Sequence, residues 1–220
     1  MKKGFTLSEL LMALTIVGII AVLTVPVMMN NVQNRLFATQ VKNFAADIEQ
    51  FAQDQLIVHK TRDLFDTDFA EPSKLLTNGH FSIAKICTEN KSLTDCWKTE
   101  AVGKNKITYK RLNGQSWAPD SGTTLILKNG LMFKYINQKL NNEPVITFVI
   151  DINGNDKPNI IGRDVFTFHI TSKGHVVDIG QILNDGTTID SGIQKCKSGA
   201  TKTGDWCYFV LSNNSWKMDY

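Results

Sequence analysis

The segment Asp151-Ile152-Asn153-Gly154-Asn155-Asp156-Lys157-Pro158-Asn159 carries oxygen-bearing side chains at alternating positions, directly after a strand-like run. Hard cations such as calcium take roughly six to eight oxygens, and alternate residues of a turning loop can aim theirs inward together. The D-x-N-x-N spacing is that of the opening of a calcium loop. Gly162 stands where an EF-hand would place its closing glutamate, and Asp164, two residues on, can substitute. The candidate calcium ligands are therefore Asp151, Asn153, Asn155, Asn159 and Asp164. The same residues also suit a metal-free turn, because Asn, Asp and Gly favour turns for local reasons. Both readings stay open on the sequence.

Two further sets of residues invite chemistry. Glu9 is the only charged side chain between Phe5 and Met29. A carboxylate in hydrocarbon costs about 2.5–3.5 kcal/mol even on the mildest scales, so it needs a partner. Cys87, Cys96, Cys196 and Cys207 fit neither a zinc knuckle nor a redox motif, and they read as disulfides of an oxidising compartment. Three pairings are open. Local pairing, Cys87 with Cys96 and Cys196 with Cys207, is expected, because closing short loops would restrain segments with little apolar content by about 2–4 kcal/mol each. His59, His80, His169 and His175 are scattered, and no HExxH, GxSxG or phosphate-loop pattern occurs. His169 lies in the alternating run Val165 to Ile170, which predicts a polar, outward-facing strand position. No catalytic constellation results, and no enzymatic activity is expected.

The elements that hold these residues can be read from periodicity. Phe5 to Met29 would span about 37 Å as a helix, against a hydrocarbon core of about 30 Å. Lys2 and Lys3 just before it favour a cytoplasmic N-terminus, with everything after Met29 on the far side. A cleaved secretory signal would be shorter, uncharged in its core and followed by a small-residue cleavage site. Beyond Pro26 the helical pattern continues, with Phe37, Val41, Phe44, Ile48 and Phe51 at steps of four and three, to about Ile57. Residues 58 to about 121, with Pro72, Pro119 and Asn78-Gly79, read as a connection with one or two short elements. Strands are predicted at Thr123 to Lys128, Leu131 to Ile136, Val145 to Ile150, Val165 to Thr171 and His175 to Ile179. Asn129-Gly130 predicts a two-residue type I′ hairpin. The fold class is α+β: a long N-terminal α-helix, membrane half plus amphipathic half, packed on an antiparallel β-sheet head.

The 220 residues, 42% apolar, suffice for one domain with an appended segment. The charge balance of 24 basic against 21 acidic residues is no nucleic-acid footprint. Lys98, Lys104, Lys106, Lys110 and Arg111 read as residues that solvate a loop.

Lys2-Lys3-Gly4-Phe5-Thr6-Leu7-Ser8-Glu9-Leu10-Leu11 resembles the processing site of type IV prepilins and pseudopilins. The resemblance covers about the first thirty residues. It implies that a prepilin peptidase cuts between Gly4 and Phe5 and methylates Phe5, so that Lys2 and Lys3 are lost. It also implies that Glu9 meets the terminal amine of a neighbouring subunit, where an ion pair across an interface fixes axial register. Pro26 falls at the helix-bending proline of many pilins. The implied partners are copies of the chain in a helical filament, the peptidase, an inner-membrane assembly platform and a cytoplasmic ATPase. The implied route runs from an inner-membrane precursor to a surface pilus. The chain then divides into leader 1–4, filament-core helix 5–29, amphipathic helix 30–57, and a pilin-like head 58–220 with a disulfide-closed C-terminal loop. The run DINGNDKPNIIGRDVFTF is similar to a segment of prepilin-like proteins of the pseudopilin type, some of whose relatives bind calcium. Three functions are weighed: a pilin for adhesion, motility or DNA uptake, a type II secretion pseudopilin, and a membrane-tethered ligand-binding module.

Overall fold

The computed structural model describes residues 6–71, 74, 79–200 and 204–220. Helix α1 runs from Leu7 to His59, 53 residues, a rod of about 80 Å. It starts at a capping box, in which the Thr6 hydroxyl accepts the Glu9 N–H while the Glu9 carboxylate accepts the Thr6 N–H. It ends where Lys60 turns left-handed and donates its N–H to the Leu56 and Ile57 carbonyls. Pro26 lies inside α1, which continues through it as one element. Phe37, Ala38, Val41, Phe44, Ala45, Ile48, Phe51 and Ala52 are buried, whereas the described side chains from Leu7 to Gln33 are exposed.

The buried stripe lies on an antiparallel sheet of six strands in the order β1-β4-β5-β6-β7-β8. These are β1 (Ile83–Cys87), β4 (Thr124–Leu127), β5 (Met132–Leu140), β6 (Glu143–Asp151), β7 (Val165–Thr171) and β8 (Val176–Val177); β2 (Tyr109–Lys110) and β3 (Ser116–Trp117) form a separate ribbon. Paired residues of antiparallel strands share a face, so Tyr135, Phe148 and Phe168 form one row and Phe133, Ile150 and Phe166 the next. The Phe148 and Phe168 rings stack at 5.3 Å, and Phe44 of α1 seats 5.3 Å from Phe133 and 6.3 Å from Phe168. Burying each such ring stabilises the head by about 1.5–3 kcal/mol, which makes this aromatic layer the main bond between helix and sheet.

The opposite face is polar yet also closed. Thr124, Lys134, Thr147, Thr167 and His169 are all buried there. Thr124 accepts from the Trp97 indole, Lys134 donates to the Asp120 carbonyl, and Thr147 bonds the His169 Nδ1 at 2.9 Å. His169 is therefore not outward-facing: Asp205 of a C-terminal helix lies 3.6 Å from its Nε2.

That helix corrects a second expectation. The region around Cys196 and Cys207 is helical on both sides: after α2 (Ile179–Leu183), α3 (Ile189–Ser198) and α4 (Asp205–Asn213) are joined by the Cys196–Cys207 disulfide. Every residue from Asp205 to Leu211 is buried, so α4 has no solvated face and no amphipathic period to read. Phe209 fits because its neighbours are glycines; a Cβ on Gly192 would sit 2.6 Å from its ring.

The turns differ too. At Asn129-Gly130 only Gly130 has positive φ, Gly130 N–H donates to the Leu127 carbonyl and Leu127 N–H to the Leu131 carbonyl, a three-residue loop closed by a glycine bulge. The two-residue geometry with both central φ positive occurs one hairpin later, at Asn141-Asn142. Within the connecting region, β1 joins the sheet as an edge strand on β4, and the Cys87–Cys96 disulfide ties its end back. Pro72 and Asn78 lie outside the described residues.

Burial pushes the His169 pKa from the ordinary 6.5 down to about 4. The folded state holds a neutral ring that takes up a proton on unfolding, so its contribution is complete above about pH 6.5 and is lost as the pH falls toward 4. We expect urea unfolding of the full chain in detergent to weaken by an amount on the order of 3 kcal/mol more over this window than in His169→Gln. Parallel pH profiles would show that His169 does not titrate this way.

Candidate functional site

The β6–β7 loop begins at Asp151, the last residue of β6, and closes at Asp164, whose carbonyl accepts the Ile152 N–H. The Asp164 carboxylate braces the return, taking the Asn159 N–H at 2.6 Å and the Ile160 N–H at 2.7 Å. Gly154 adopts φ +64°, and a Cβ there would lie 2.8 Å from the Gly130 carbonyl oxygen, so the position demands glycine twice over. Lys157–Pro158 is cis, and Asn159 and Gly162 have positive φ.

Within this loop the amide groups point one way. Asn153 gives its NH2 to the Asp156 and Lys157 carbonyls, Asn155 to the Cys96 carbonyl and Asn159 to the Asn155 carbonyl. Their side-chain oxygens are buried without a hydrogen-bond partner, whereas the Asp151 carboxylate draws on the Asn153 and Gly154 N–H groups. Asp151 Oδ2 accepts from the Tyr109 hydroxyl at 2.8 Å. Burial, and then the nearby Asp164 charge, hold the Asp151 pKa well above the ordinary carboxylate range, and burial raises Asp164 to about 6. Thus all five sequence-predicted oxygen donors fall in one loop, but Asp164 spends its oxygens on backbone N–H groups. Tyr109 carried no sequence signal, being 42 residues from Asp151.

At the other end of the molecule, Glu9 Oε2 accepts from both the Thr6 N–H and the Thr6 hydroxyl at 2.8 Å. Its partner within the chain is thus Thr6, through a T-x-x-E capping pattern that was present in the sequence. Gly4 and Phe5 lie outside the described residues. Residues 1–25 match the model of the prokaryotic N-terminal methylation motif. The chain carries the type IV pilin and pseudopilin signature. No curated protein and no solved structure matches it.

The pilin-like layout accounts for the remaining sequence candidates. His80 stacks on Phe51 and lies 3.3 Å from Asp47, and His175 bonds Glu49 at 3.0 Å, so both help fasten α1 to the head. His59 faces Asp68 at 3.6 Å just beyond the stripe. Lys104, Lys106 and Lys110 are exposed, while Arg111 is half-buried and donates to the Gly199 carbonyl. Among the described residues, no three His, Cys, Asp or Glu side chains gather into a metal site.

Replacing Tyr109 with Phe removes the hydroxyl donor to a fully buried carboxylate while keeping the ring among Trp97 and Trp117. We expect Tyr109→Phe to lower the unfolding free energy by about 1.5–3 kcal/mol. A urea curve superimposable on that of the parent would show that this bond is not felt.

Proposed function

We propose that the chain is the structural subunit of an extracellular filament of the type IV pilin class. In this reading a prepilin peptidase removes residues 1–4 and methylates Phe5, and the mature chain is assembled through α1 on an inner-membrane platform driven by a cytoplasmic ATPase. The observation that carries the reading is the division of α1. Its C-terminal half is buried on the sheet, whereas Leu7, Leu10, Leu11, Met12, Leu14, Ile16, Val17, Ile19 and Ile20 have nothing over them. A contiguous apolar surface of this length belongs in a bilayer before assembly and against the same helix of other copies afterwards. Glu9, inside that surface, then sets axial register by meeting a neighbour's terminal amine, and Pro26 gives the membrane half freedom to bend where its missing N–H leaves the ladder short. The head, with its two disulfides, forms the outer surface.

A secretion pseudopilin is the second reading, favoured by the DINGNDKPN run. The two part on where the product resides. We expect intact-mass measurement of the mature chain from its host to give a chain lacking Met1 to Gly4, heavier by one methyl and lighter by four hydrogens. Antibody to the head should label filaments on the cell surface. Loss of secretion with no labelled filament would select the pseudopilin, and an uncut N-terminus would leave only the tethered binding module. We further expect Glu9→Leu to abolish incorporation into filaments while Thr6→Ala, which removes only the cap, retains it. Equal incorporation of the two variants would refute the register role.

A further inference from the structure

Where the bare half of α1 ends, the head comes down to meet it. The apolar run from Leu7 to Met29 measures about 35 Å as a helix, enough for a hydrocarbon core of about 30 Å. Asn30 to Arg35 follow within about 9 Å, across the depth of a headgroup layer of about 5–8 Å. Two recesses open on this stretch. One, of about 240 Å³, lies between Asn31, Asn34 and Arg35 and the chain from Trp216 to Asp219. The other, of about 270 Å³, lies between Asn30, Gln33 and Asn34 and the pair Pro158 and Arg163. This end of the head therefore stands at the level where α1 leaves the hydrocarbon.

Its side chains suit that level. Of the charged residues lining the two recesses, Arg35, Lys217 and Arg163 are basic and Asp219 alone is acidic, and the Asn214 amide already holds Asp219 at 2.8 Å. Among the described residues, none of the three cations forms an ion pair. Arg163 lies 5.5 Å over the Tyr220 ring and donates to the Tyr220 carbonyl at 2.8 Å, while Lys42 lies 5.8 Å from the Trp216 ring. Both rings are half-buried. Trp and Tyr have an apolar body and a polar tip, and long basic side chains reach phosphate while their stems stay on apolar surface, which is the chemistry of a membrane interface.

We propose that this end of the head docks on anionic phospholipid headgroups of the membrane that holds α1, with Arg35, Lys217 and Arg163 meeting phosphates and Trp216 and Tyr220 lying at the interface. The inference rests on the reading of the chain as a membrane-inserted precursor. Charge selects lipid as the occupant, and continuity with the membrane half of α1 brings that lipid to the face. The contact fixes which side of the head faces the bilayer, and it must be given up when the subunit leaves.

The test uses the full chain in nanodiscs of phosphatidylcholine, alone or mixed with phosphatidylglycerol, each with a trace of lipid carrying a nitroxide on its headgroup. Trp97, Trp117 and Trp206 are buried, so quenching reports on Trp216. Quenching should be about twofold greater in the anionic discs and should lose that excess in high salt. The double variant Arg35→Gln, Lys217→Gln, altered at two exposed positions, should lose it as well. Equal quenching in the two lipids, or an excess that survives in the double variant, would overturn the proposal. Quenching that varies with the number of chains per disc, whatever the lipid, would give the face to a second copy and overturn it too. Size exclusion reads capture in the discs separately: a chain left outside them would sink the membrane reading, and this inference with it.

Discussion

The fit of one helical stripe to one sheet face organises this molecule. Phe44 meets Phe133 and Phe168, which pack against Phe148 between them, and the strand register that aligns those rings is the register that closes the sheet. A slip of one residue in β6 would turn Phe148 to the other face and bring Thr147 and Val149 to the face that α1 covers. The same fit divides α1. The sheet is wide enough to cover the helix from Phe37 onward and leaves the preceding turns bare, so the apolar half must find its cover in lipid or in other chains.

The second face of the sheet obeys a different economy. Where α1 meets hydrocarbon, the ribbon and α4 meet hydroxyls, an imidazole and an ammonium, and several of these polar groups have named partners. Trp97 serves Thr124, Asp120 serves Lys134, and Thr147 serves His169. The Asn153, Asn155 and Asn159 side-chain oxygens share with His169 Nε2 a buried position without a hydrogen-bond partner.

Much of this was legible in the sequence because it obeys one-dimensional periods. Steps of three and four gave the stripe of α1 to within two residues of its end, and alternation gave β4 to β7. Two of the failures share a cause, which is burial from more than one side. His169 alternates as a solvent-facing residue would, but α4 covers the face it occupies. Asp205 to Leu211 is apolar almost without interruption, so no polar face marks it as a helix. Strand β1 is short, with a lysine and an exposed isoleucine at a sheet edge, and its pairing depends on Thr124 to Leu127 some forty residues later. In the β6–β7 loop the D-x-N-x-N spacing marked residues that the fold keeps in one loop, while Tyr109 and the Cys96 carbonyl come from distant segments that no local pattern announces.

The capping box at the start of α1 bears on the energetics of exchange. A carboxylate with no partner would gain the whole of an ion pair on meeting an amine, and would hold it almost irreversibly. Glu9 instead begins with two hydrogen bonds from Thr6, so any incoming cation gains only the difference between the new contact and the old. Leaving is correspondingly less costly, because the departing helix can close its own end again. In the proposed filament such an arrangement would be a displaceable latch, favouring a joint that can be made and unmade over one that is merely strong.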